Sequence, residues 1–262
     1  MDPARFAFLD HPGPLAFAHR GGALENPENT WASFTHAHDL GYHFMETDVH
    51  ATSDGVVATI HDPDLARTSD CTGLVRDMAW KDLAEVRLAG EGDLRVPRLD
   101  ELFEEWPEVR WNIDAKHDSV VDPLIDTVRR TGTLDRVCIT SFNDRRLHRL
   151  RKALGPRACL AMGPVGTTIM RVASVIPGPA GRLAARPLRP WAAAQVPIRQ
   201  GRIPVVDRRF VDACHRAGLQ AHVWTVDDAV TMDRLLELGV DGIMTDRPTA
   251  LKEVLLRRKL WV

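Results

Sequence analysis

The chain has 262 residues, of which 44% are hydrophobic and 27% charged, a composition typical of a globular protein with a buried core. The composition excludes a disordered chain, and a formal net charge of -2 gives no general reason to expect a nucleic-acid partner. The length suits one large domain or two small ones.

Cysteine positions and hydropathy indicate in which cellular compartment the protein is located. Cys71, Cys138, Cys159 and Cys214 are too far apart in the sequence to form a zinc-binding pair, and scattered thiols suit a reducing compartment. The start of the chain lacks a basic stretch followed by an apolar one, so we expect no secretory signal and a cytoplasmic location. The least polar stretch, 158–176, is broken by glycine, proline and arginine, and it does not predict a membrane span.

Short apolar runs alternate with helical patterns, which favours an α/β fold of the (β/α)8 TIM-like barrel type, although irregular. An open doubly wound sheet is the alternative, but no Gly-x-Gly-x-x-Gly follows the first strand. Eight segments have the pattern of strands, namely 15–18, 43–49, 56–60, 110–115, 137–140, 158–161, 220–224 and 242–245. Six segments have the pattern of helices, namely 30–40, 120–131, 144–154, 208–217, 229–238 and 248–258.

Capping residues support these helix boundaries. Short polar side chains precede three helical patterns and predict N-caps at Asn29, Asn143 and Asp227. Glycines that follow helical patterns predict helix ends at Gly218 and Gly239. Asp246 and Arg247 precede the last helical pattern, and we interpret them as a structural cap more readily than as site residues.

Two places interrupt the alternation of strands and helices. Between Asp48 and His61 there is no room for a helix, and Asp54-Gly55 predicts a tight hairpin turn. Pairing about a two-residue turn places Asp48 opposite His61, although a slip by one residue would undo that pairing. The second interruption, 64–97, predicts a small irregular insertion after the third strand, with a short helix inside it.

Carboxylates share a face in two of the predicted strands. Glu46 and Asp48 are two residues apart, and Asn112, Asp114 and Lys116 repeat that spacing in another strand. Residues two apart point to the same side, and in a barrel a polar side must face the interior or its mouth. Three carboxylates there suit a hard divalent cation such as Ca²⁺ or Mg²⁺, and an ammonium suits an anionic ligand. The alternative is that these acids face water or pair with arginine.

His19 and His61 each end an apolar strand, where the active sites of barrels are built. Imidazoles with a pKa of about 6.5 suit a general base and a general acid, although either histidine alone is as well explained by a structural role. Arg20 follows His19 and precedes two glycines, which suits a bidentate contact with phosphate. Trp224 ends a later strand and either lines a substrate pocket or packs in the core.

Nine motifs, in order, resemble those of the glycerophosphodiester phosphodiesterase family. They are HRGG, PENT and SF within 19–34, ETDVHATSDGVVATIHD (46–62), VPRLDEL (96–102), NIDAK (112–116), SF (141–142), VWTV (223–226) and GVDGIMTDRP (239–248). The resemblance covers nearly the whole chain. It implies one TIM-like barrel domain over 1–262 with the small insertion at about 64–97. It also implies metal-dependent hydrolysis of a glycerophosphodiester to glycerol 3-phosphate and an alcohol.

The same resemblance implies roles for single residues. They are His19 and His61 as the acid–base pair, Glu46, Asp48 and Asp114 as ligands of a divalent cation, and Arg20 and Lys116 as phosphate contacts. One departure concerns the third ligand, because family members often have Glu-x-Lys where this chain has Asp114-Ala115-Lys116. Since sphingomyelinase D-type relatives have Asp there, sphingomyelinase D-like or lysophospholipase D activity on a lipid phosphodiester is an alternative. A non-catalytic barrel that binds phosphoesters or membranes is the alternative of another class.

Residues 145–206 contain twelve of the 34 lysines and arginines and no aspartate or glutamate. A basic region on an otherwise acidic chain indicates one electropositive face. Two interpretations stay open. The basic and apolar stretch either contacts an anionic membrane as a peripheral surface, or forms a long connection with ordinary solvated charges. The sequence does not predict the oligomeric state.

Overall fold

Eight parallel strands close into a barrel in the computed structural model, which describes residues 5–262. These strands are β1 (Leu15–Ala18), β2 (Phe44–Ala51), β4 (Arg110–Ala115), β5 (Val137–Thr140), β6 (Cys159–Met162), β7 (Ala193–Pro197), β10 (Gln220–Trp224) and β11 (Gly242–Thr245). Outside the barrel lie β3 (Val57–Thr59) and the two-stranded sheet of β8 (Arg199–Gln200) and β9 (Ile203–Pro204). The eight barrel strands follow one another around the barrel in chain order, and β1 pairs with both β2 and β11, which closes the sheet. The predicted TIM-like barrel is therefore confirmed.

Helices surround the barrel because each strand presents alternate side chains outward. In β4, Trp111, Ile113 and Ala115 lie in the apolar shell between strands and helices. The helices are α1 (Trp31–Asp39), α2 (Trp80–Leu83), α3 (Leu99–Glu105), α4 (Val121–Thr131), α5 (Asp144–Leu154), α6 (Pro164–Val175), α7 (Gly178–Ala185), α8 (Arg208–Ala217), α9 (Ala229–Glu237) and α10 (Pro248–Arg257). Within residues 5–262, no helix is long and apolar enough to cross a membrane.

The prediction of eight barrel strands is wrong in one member. The segment predicted at 56–60 is β3 (Val57–Thr59), which pairs antiparallel with β2 outside the barrel order. The missing barrel strand is β7, whose sequence Ala-Ala-Gln-Val-Pro has only one β-branched residue and so gives a weak strand pattern. The helices α3, α6 and α7 and the two short strands Arg199–Gln200 and Ile203–Pro204 were also not predicted. The short helix predicted in the insertion is shorter than expected, and the remaining predicted elements lie within about two residues of their predicted bounds.

The predicted hairpin register is wrong by one residue. Asp48 lies opposite Ile60, whose backbone N–H donates to the Asp48 carbonyl at 2.9 Å, and not opposite His61. The turn explains the slip, because the N–H of Thr52 donates to the carbonyl of Val56 at 3.0 Å and encloses three residues rather than two. A three-residue loop shifts the pairing by one position relative to a two-residue turn.

Two predicted helix caps are also displaced by one residue. The N-cap of α1 is Thr30, not Asn29, and the N-cap of α9 is Asp228, not Asp227. Asn143 caps α5 as predicted, since its side chain accepts a hydrogen bond from the N–H of Arg145 at 2.9 Å. Because the side chain of Asn29 does not cap α1, it can form other hydrogen bonds. It donates one to Asp48 at the site described below. The predicted lack of a secretory signal concerns in part residues 1–4, which lie outside the described residues.

The segment that follows β3 packs around its own small apolar core. Leu65, Val75, Leu83 and Val96 lie buried there with apolar residues of β3 and its flank. The short helix predicted in this segment is α2. This core holds the segment against the C-terminal ends of the barrel strands, where its residue Arg67 contacts the site.

The barrel interior changes from apolar to polar along the strands. At the N-terminal ends, Phe8 and Phe44 pack edge to face at 5.5 Å, and Phe17 joins them. In the middle, the amide of Gln195 donates to Asn112 Oδ1 at 2.7 Å and contacts His222. Above this layer lie the carboxylates of β2 and β4. The closed apolar end leaves the opposite end as the accessible mouth.

The neutral state of His222 predicts a pH dependence of stability. Its side chain is 0% exposed, and burial lowers its pKa to about 4, below an unfolded value of about 6.5. Between these values the unfolded chain binds a proton that the folded chain does not, so stability is complete above pH 6.5 and is lost as pH falls. We expect a loss of about 3 kcal/mol between pH 7 and pH 4, measured by urea unfolding. The variant His222→Gln should lose less over that range, and equal losses would contradict the prediction.

Candidate active site

One cavity at the C-terminal ends of the barrel strands collects every residue predicted for the site. Its volume is about 580 Å³. The residues that line it include His19, Arg20, Glu46, Asp48, His61, Asp114, Lys116 and Trp224. This position is where barrel active sites are built from strand ends and the loops that follow them. The functional roles assigned to these residues stay predictions.

A tight turn after β1 aims His19 and Arg20 into the cavity. Arg20 and Gly21 both adopt positive φ angles, 52° and 80°. A Cβ atom at Gly21 would lie 2.4 Å from Oγ of Ser33, so only glycine fits between this turn and α1. The turn lets the backbone N–H of Arg20 donate to Oε2 of Glu46 at 3.1 Å. The two glycines noted in the sequence therefore serve close backbone approach.

His19 is held by a carboxylate from the last barrel strand. Its Nδ1 lies 2.7 Å from Oδ1 of Asp246, and its Nε2 lies 3.7 Å from Oε2 of Glu46. Burial acts to lower the pKa of His19, but the carboxylates of Glu46 and Asp246 outweigh burial and raise it. Of the two residues interpreted as a helix cap, Arg247 is the N-cap of α10, whereas Asp246 contacts His19 and its interpretation as a cap is wrong. Closure of the barrel, which pairs β11 with β1, brings Asp246 to His19.

A second histidine–carboxylate pair stands across the cavity. Nδ1 of His61 lies 2.6 Å from Oδ1 of Asp62. Arg67 donates to Asp62 Oδ2 at 2.5 Å and to Glu28 Oε1 at 2.6 Å, and Glu28 also accepts from Arg20 at 3.2 Å. This chain of ion pairs links the segment after β3 to the turn after β1. The sequence interpretation missed Asp62 and Arg67, although the position of Asp62 directly after His61 was a usable indication.

The carboxylates of β2 and β4 are neighbours through strand register. Asp48 pairs with Asp114 across the two strands, and Nζ of Lys116 lies 2.7 Å from Asp48 Oδ1 and 2.6 Å from Asp114 Oδ2. Nε of Arg20 lies 2.9 Å from the other oxygen of Asp48. Two cations thus meet one buried carboxylate, which reduces the free energy cost of burying its charge.

These neighbours change the acidity of the three carboxyl groups in different directions. Burial acts to raise the pKa of Asp48, but Lys116 and Arg20 outweigh burial and lower it. Burial raises the pKa of Asp114 despite the contact with Lys116. Burial and the charge of Asp48 raise the pKa of Glu46 to about 7. Burial is therefore the main cause of the raised pKa values of Glu46 and Asp114, whereas the two cations keep Asp48 acidic.

Asn29 orients Asp48 instead of capping α1. Its Nδ2 donates to Asp48 Oδ2 at 3.2 Å, and its Oδ1 accepts from Thr47 Oγ1 at 2.8 Å. The residue is buried and adopts a positive φ of 54°, a conformation that asparagine tolerates better than most residues. The amide thus fixes one carboxylate oxygen of the cluster.

The donor set fits a hard divalent cation, although the side chains also pair with each other. Glu46, Asp48 and Asp114 offer carboxylate oxygens, the ligands that Ca²⁺ and Mg²⁺ prefer. Oδ1 of Asp114 is buried without a hydrogen-bond partner in the part of the chain that the structure describes. From residue 5 to 262, however, no three His, Cys, Asp or Glu side chains are grouped so that they could hold a metal ion. Lys116 lies between Asp48 and Asp114, and their role as ligands stays a prediction.

Trp224 both lines the cavity and packs against the interior cluster, so the two interpretations of it are compatible. Its ring meets that of Phe142 edge to face at 5.7 Å. Phe142 is 65% exposed, and Val172 of α6 is a second exposed apolar residue of the lining. One wall of the cavity is therefore apolar and opens to the surface.

Known proteins resemble this chain over nearly its whole length. Residues 19–250 match the Glycerophosphoryl diester phosphodiesterase family. The chain is 37% identical over 258 residues to "Probable glycerophosphodiester phosphodiesterase 2" of Mycobacterium tuberculosis, covering 97% of this chain and 95% of that protein. It is 28% identical over 273 residues to "Lysophospholipase D GDPD1" of Rattus norvegicus, covering 91% and 85%. The crystal structure of glycerophosphodiester phosphodiesterase from Agrobacterium tumefaciens superposes with a TM-score of 0.74 at 26% identity, covering 92% and 99%.

The contact between His19 and Asp246 predicts a change in titration. Asp246→Asn removes a charge and a hydrogen-bond acceptor that raise the pKa of His19, so we expect that pKa to fall. NMR titration of the His19 ring measures it. The matched control is Asp241→Asn, which alters the pair between Asp241 and His215 (2.8 Å) outside the cavity and should leave His19 unchanged. An unchanged His19 titration in Asp246→Asn would contradict the assigned contact.

Proposed function

The chain belongs to the glycerophosphoryl diester phosphodiesterase family, and we propose that it hydrolyses glycerophosphodiesters to glycerol 3-phosphate and an alcohol. The observation that supports this most is the pair of carboxylate-held histidines, His19 and His61, in one cavity with cationic side chains. Phosphodiester cleavage requires proton transfer at two oxygens and compensation of phosphate charge. The cavity offers residues for both tasks.

Arg20 and Lys116 are the proposed phosphate contacts. Both line the cavity and are mostly buried, so their charges act in a medium of low dielectric constant. The planar guanidinium of Arg20 can donate to two phosphate oxygens at once, and Lys116 provides a compact charge. Both cations already contact Asp48, so that carboxylate positions them.

His19 and His61 are the proposed general acid and general base. Each ring is held at Nδ1 by a carboxylate, which orients Nε2 for proton transfer. Because the pKa of His19 is raised, His19 suits the acid that protonates the leaving oxygen. His61 then takes the proton of the attacking hydroxyl, which belongs to the glycerol moiety in a route through a cyclic phosphate. Water opens that ring in a second step, in which the histidines exchange roles.

A hard divalent cation, Ca²⁺ or Mg²⁺, is the proposed cofactor. Glu46, Asp48 and Asp114 would hold it, because all three line the cavity, their carboxylate oxygens suit such an ion, and Oδ1 of Asp114 lacks a hydrogen-bond partner among the described residues. When bound, such an ion neutralises charge that develops on a phosphoryl oxygen. The shorter side chain of Asp114 keeps the same oxygen chemistry as the glutamate often found there.

A lipid phosphodiester is the second candidate substrate, for a lysophospholipase D or sphingomyelinase D-like activity. The exposed apolar side chains of Phe142 and Val172 on the cavity wall favour it, because an acyl chain would cover them. A non-catalytic barrel is disfavoured, since both histidines keep carboxylate partners. A cytoplasmic location and peripheral contact with an anionic membrane stay predictions.

Turnover of glycerophosphocholine tests the proposed reaction. We expect His19→Ala and His61→Ala each to lower kcat by roughly 10²–10⁴-fold, because each removes a proton-transfer group. EDTA should abolish activity, and Ca²⁺ or Mg²⁺ should restore it. His215→Ala, which alters a histidine–aspartate pair outside the cavity, is the matched control and should stay within about threefold of wild type. Inactivity of the metal-supplemented protein on glycerophosphocholine and on an aryl phosphodiester would refute the proposal.

The acyl-chain alternative has its own test. Comparing kcat/KM for lysophosphatidylcholine and glycerophosphocholine shows whether an acyl chain contributes binding. If it does, the double variant Phe142→Ser/Val172→Ser should lose about tenfold on the lysolipid only, because two apolar contacts are removed. Equal kcat/KM for the two substrates in wild type would exclude a lysolipid preference.

A further inference from the structure

A second cavity, of about 950 Å³, lies between helices on the outside of the barrel. It is bounded by the end of α6, by α7 and the turn after it, and by α8. Five arginines line it, and we call it the arginine cavity: Arg182, Arg186, Arg189, Arg209 and Arg216. No aspartate or glutamate of the described chain is part of this lining. None of the residues assigned to the active site reaches it.

The five guanidinium groups lack acidic partners in the described chain, whereas two arginines next to the arginine cavity have them. Arg171, on α6, pairs with Asp207 at 3.0 Å, and Arg208 pairs with Asp212 at 3.3 Å. The five arginines of the cavity form no ion pair with any carboxylate of residues 5–262. Like charges around one cavity repel each other, and a bound anion would relieve that repulsion.

Small residues shape the floor of the arginine cavity. Ala173, Gly181, Ala185, Ala213 and Ala217 contribute to it, so the long arginine side chains surround an open volume. A Cβ atom at Gly181 would lie 2.4 Å from the carbonyl oxygen of Ile176, so the close approach of α6 and α7 requires glycine. Guanidinium groups around such a volume match phosphate oxygens, to which they donate in pairs.

We propose that the arginine cavity is a second anion site, which binds the phosphate groups of a phosphate-bearing ligand. No acidic side chain competes for the arginines there, and the volume accommodates more than one phosphate group. The site does not depend on the proposed hydrolysis, because the catalytic cavity is separate. α6 contributes to both cavities, with Arg171 and Val172 in one and Ala173 and Ser174 in the other.

Apolar side chains beside the arginines favour a phosphate carried by a lipid. Val175 and Ile176 line the arginine cavity and are exposed, and Leu183 of α7 is 67% exposed. Exposed apolar residues next to cationic ones are typical of surfaces that contact anionic phospholipid. A phosphate-bearing solute is the other source of the same chemistry.

Binding experiments on full-length protein separate the two sources. The test variant is Arg182→Gln/Arg186→Gln/Arg189→Gln. The matched control, Arg145→Gln/Lys152→Gln/Arg234→Gln, removes the same charge from exposed positions outside the arginine cavity. One arm measures sedimentation with phosphatidylglycerol vesicles against phosphatidylcholine vesicles. The other measures calorimetric binding of pyrophosphate. Far-UV circular dichroism and urea unfolding, equal in both variants, check that each protein is folded.

We expect wild type and control to bind, and the test variant to bind at least tenfold more weakly, with the effect reduced at high salt. Loss of vesicle binding supports the site with a lipid-borne phosphate. Loss of one pyrophosphate binding event without vesicle binding supports the site with a solute phosphate. The proposal is overturned if wild type binds neither probe, or if test and control variants lose binding equally.

Discussion

Three carboxylates buried inside a closed barrel require positive charge, and this requirement organises the barrel mouth. Glu46, Asp48 and Asp114 stand on adjacent strands whose register makes them neighbours. Charges so poorly solvated persist only when they are paired or hold a cation. The chain supplies Arg20 and Lys116, and both meet Asp48. Glu46 is buried beside the charge of Asp48, and burial and that charge raise its pKa to about 7.

The loops around the mouth are fixed by the same requirement. The turn after β1 needs glycine at position 21 because it brings the Arg20 backbone against Glu46. Arg67 reaches from the segment after β3 to Asp62 and Glu28, so that segment is tied to the same network of charges. Each proposed acid–base histidine therefore sits on a backbone that ion pairs hold in place. Precise placement of such groups is what general acid–base catalysis needs.

The sequence predicted features that arise from local spacing and missed those that arise from closure of the barrel. The i, i+2 acids of β2 and β4 were predicted to share an inward face, because strand alternation alone determines it. Asp246 was missed as the partner of His19, since their contact spans 227 positions and depends on β11 meeting β1. The hairpin register failed by one residue because a three-residue loop and a two-residue turn suit the same Asp54-Gly55 pair. The Ala-rich β7 was missed because burial by its neighbours, not β propensity, makes it a strand.

The arginines of the basic stretch 145–206 fall into two groups, those that pair with acids and those that do not. On α5, Arg146 and Arg149 pair with Asp118 and Asp122, acids that come from another part of the chain. These charges are explained by packing between neighbouring helices. The arginines of α7 and the turn after it have no such partners among the described residues, and they surround a cavity instead. A basic stretch of sequence that lacks acidic residues therefore forms an electropositive surface only where folding brings no acidic side chain from another part of the chain next to it. Residues of α6 line both the arginine cavity and the catalytic cavity. An anion bound in the arginine cavity would therefore lie next to the entrance of the catalytic cavity.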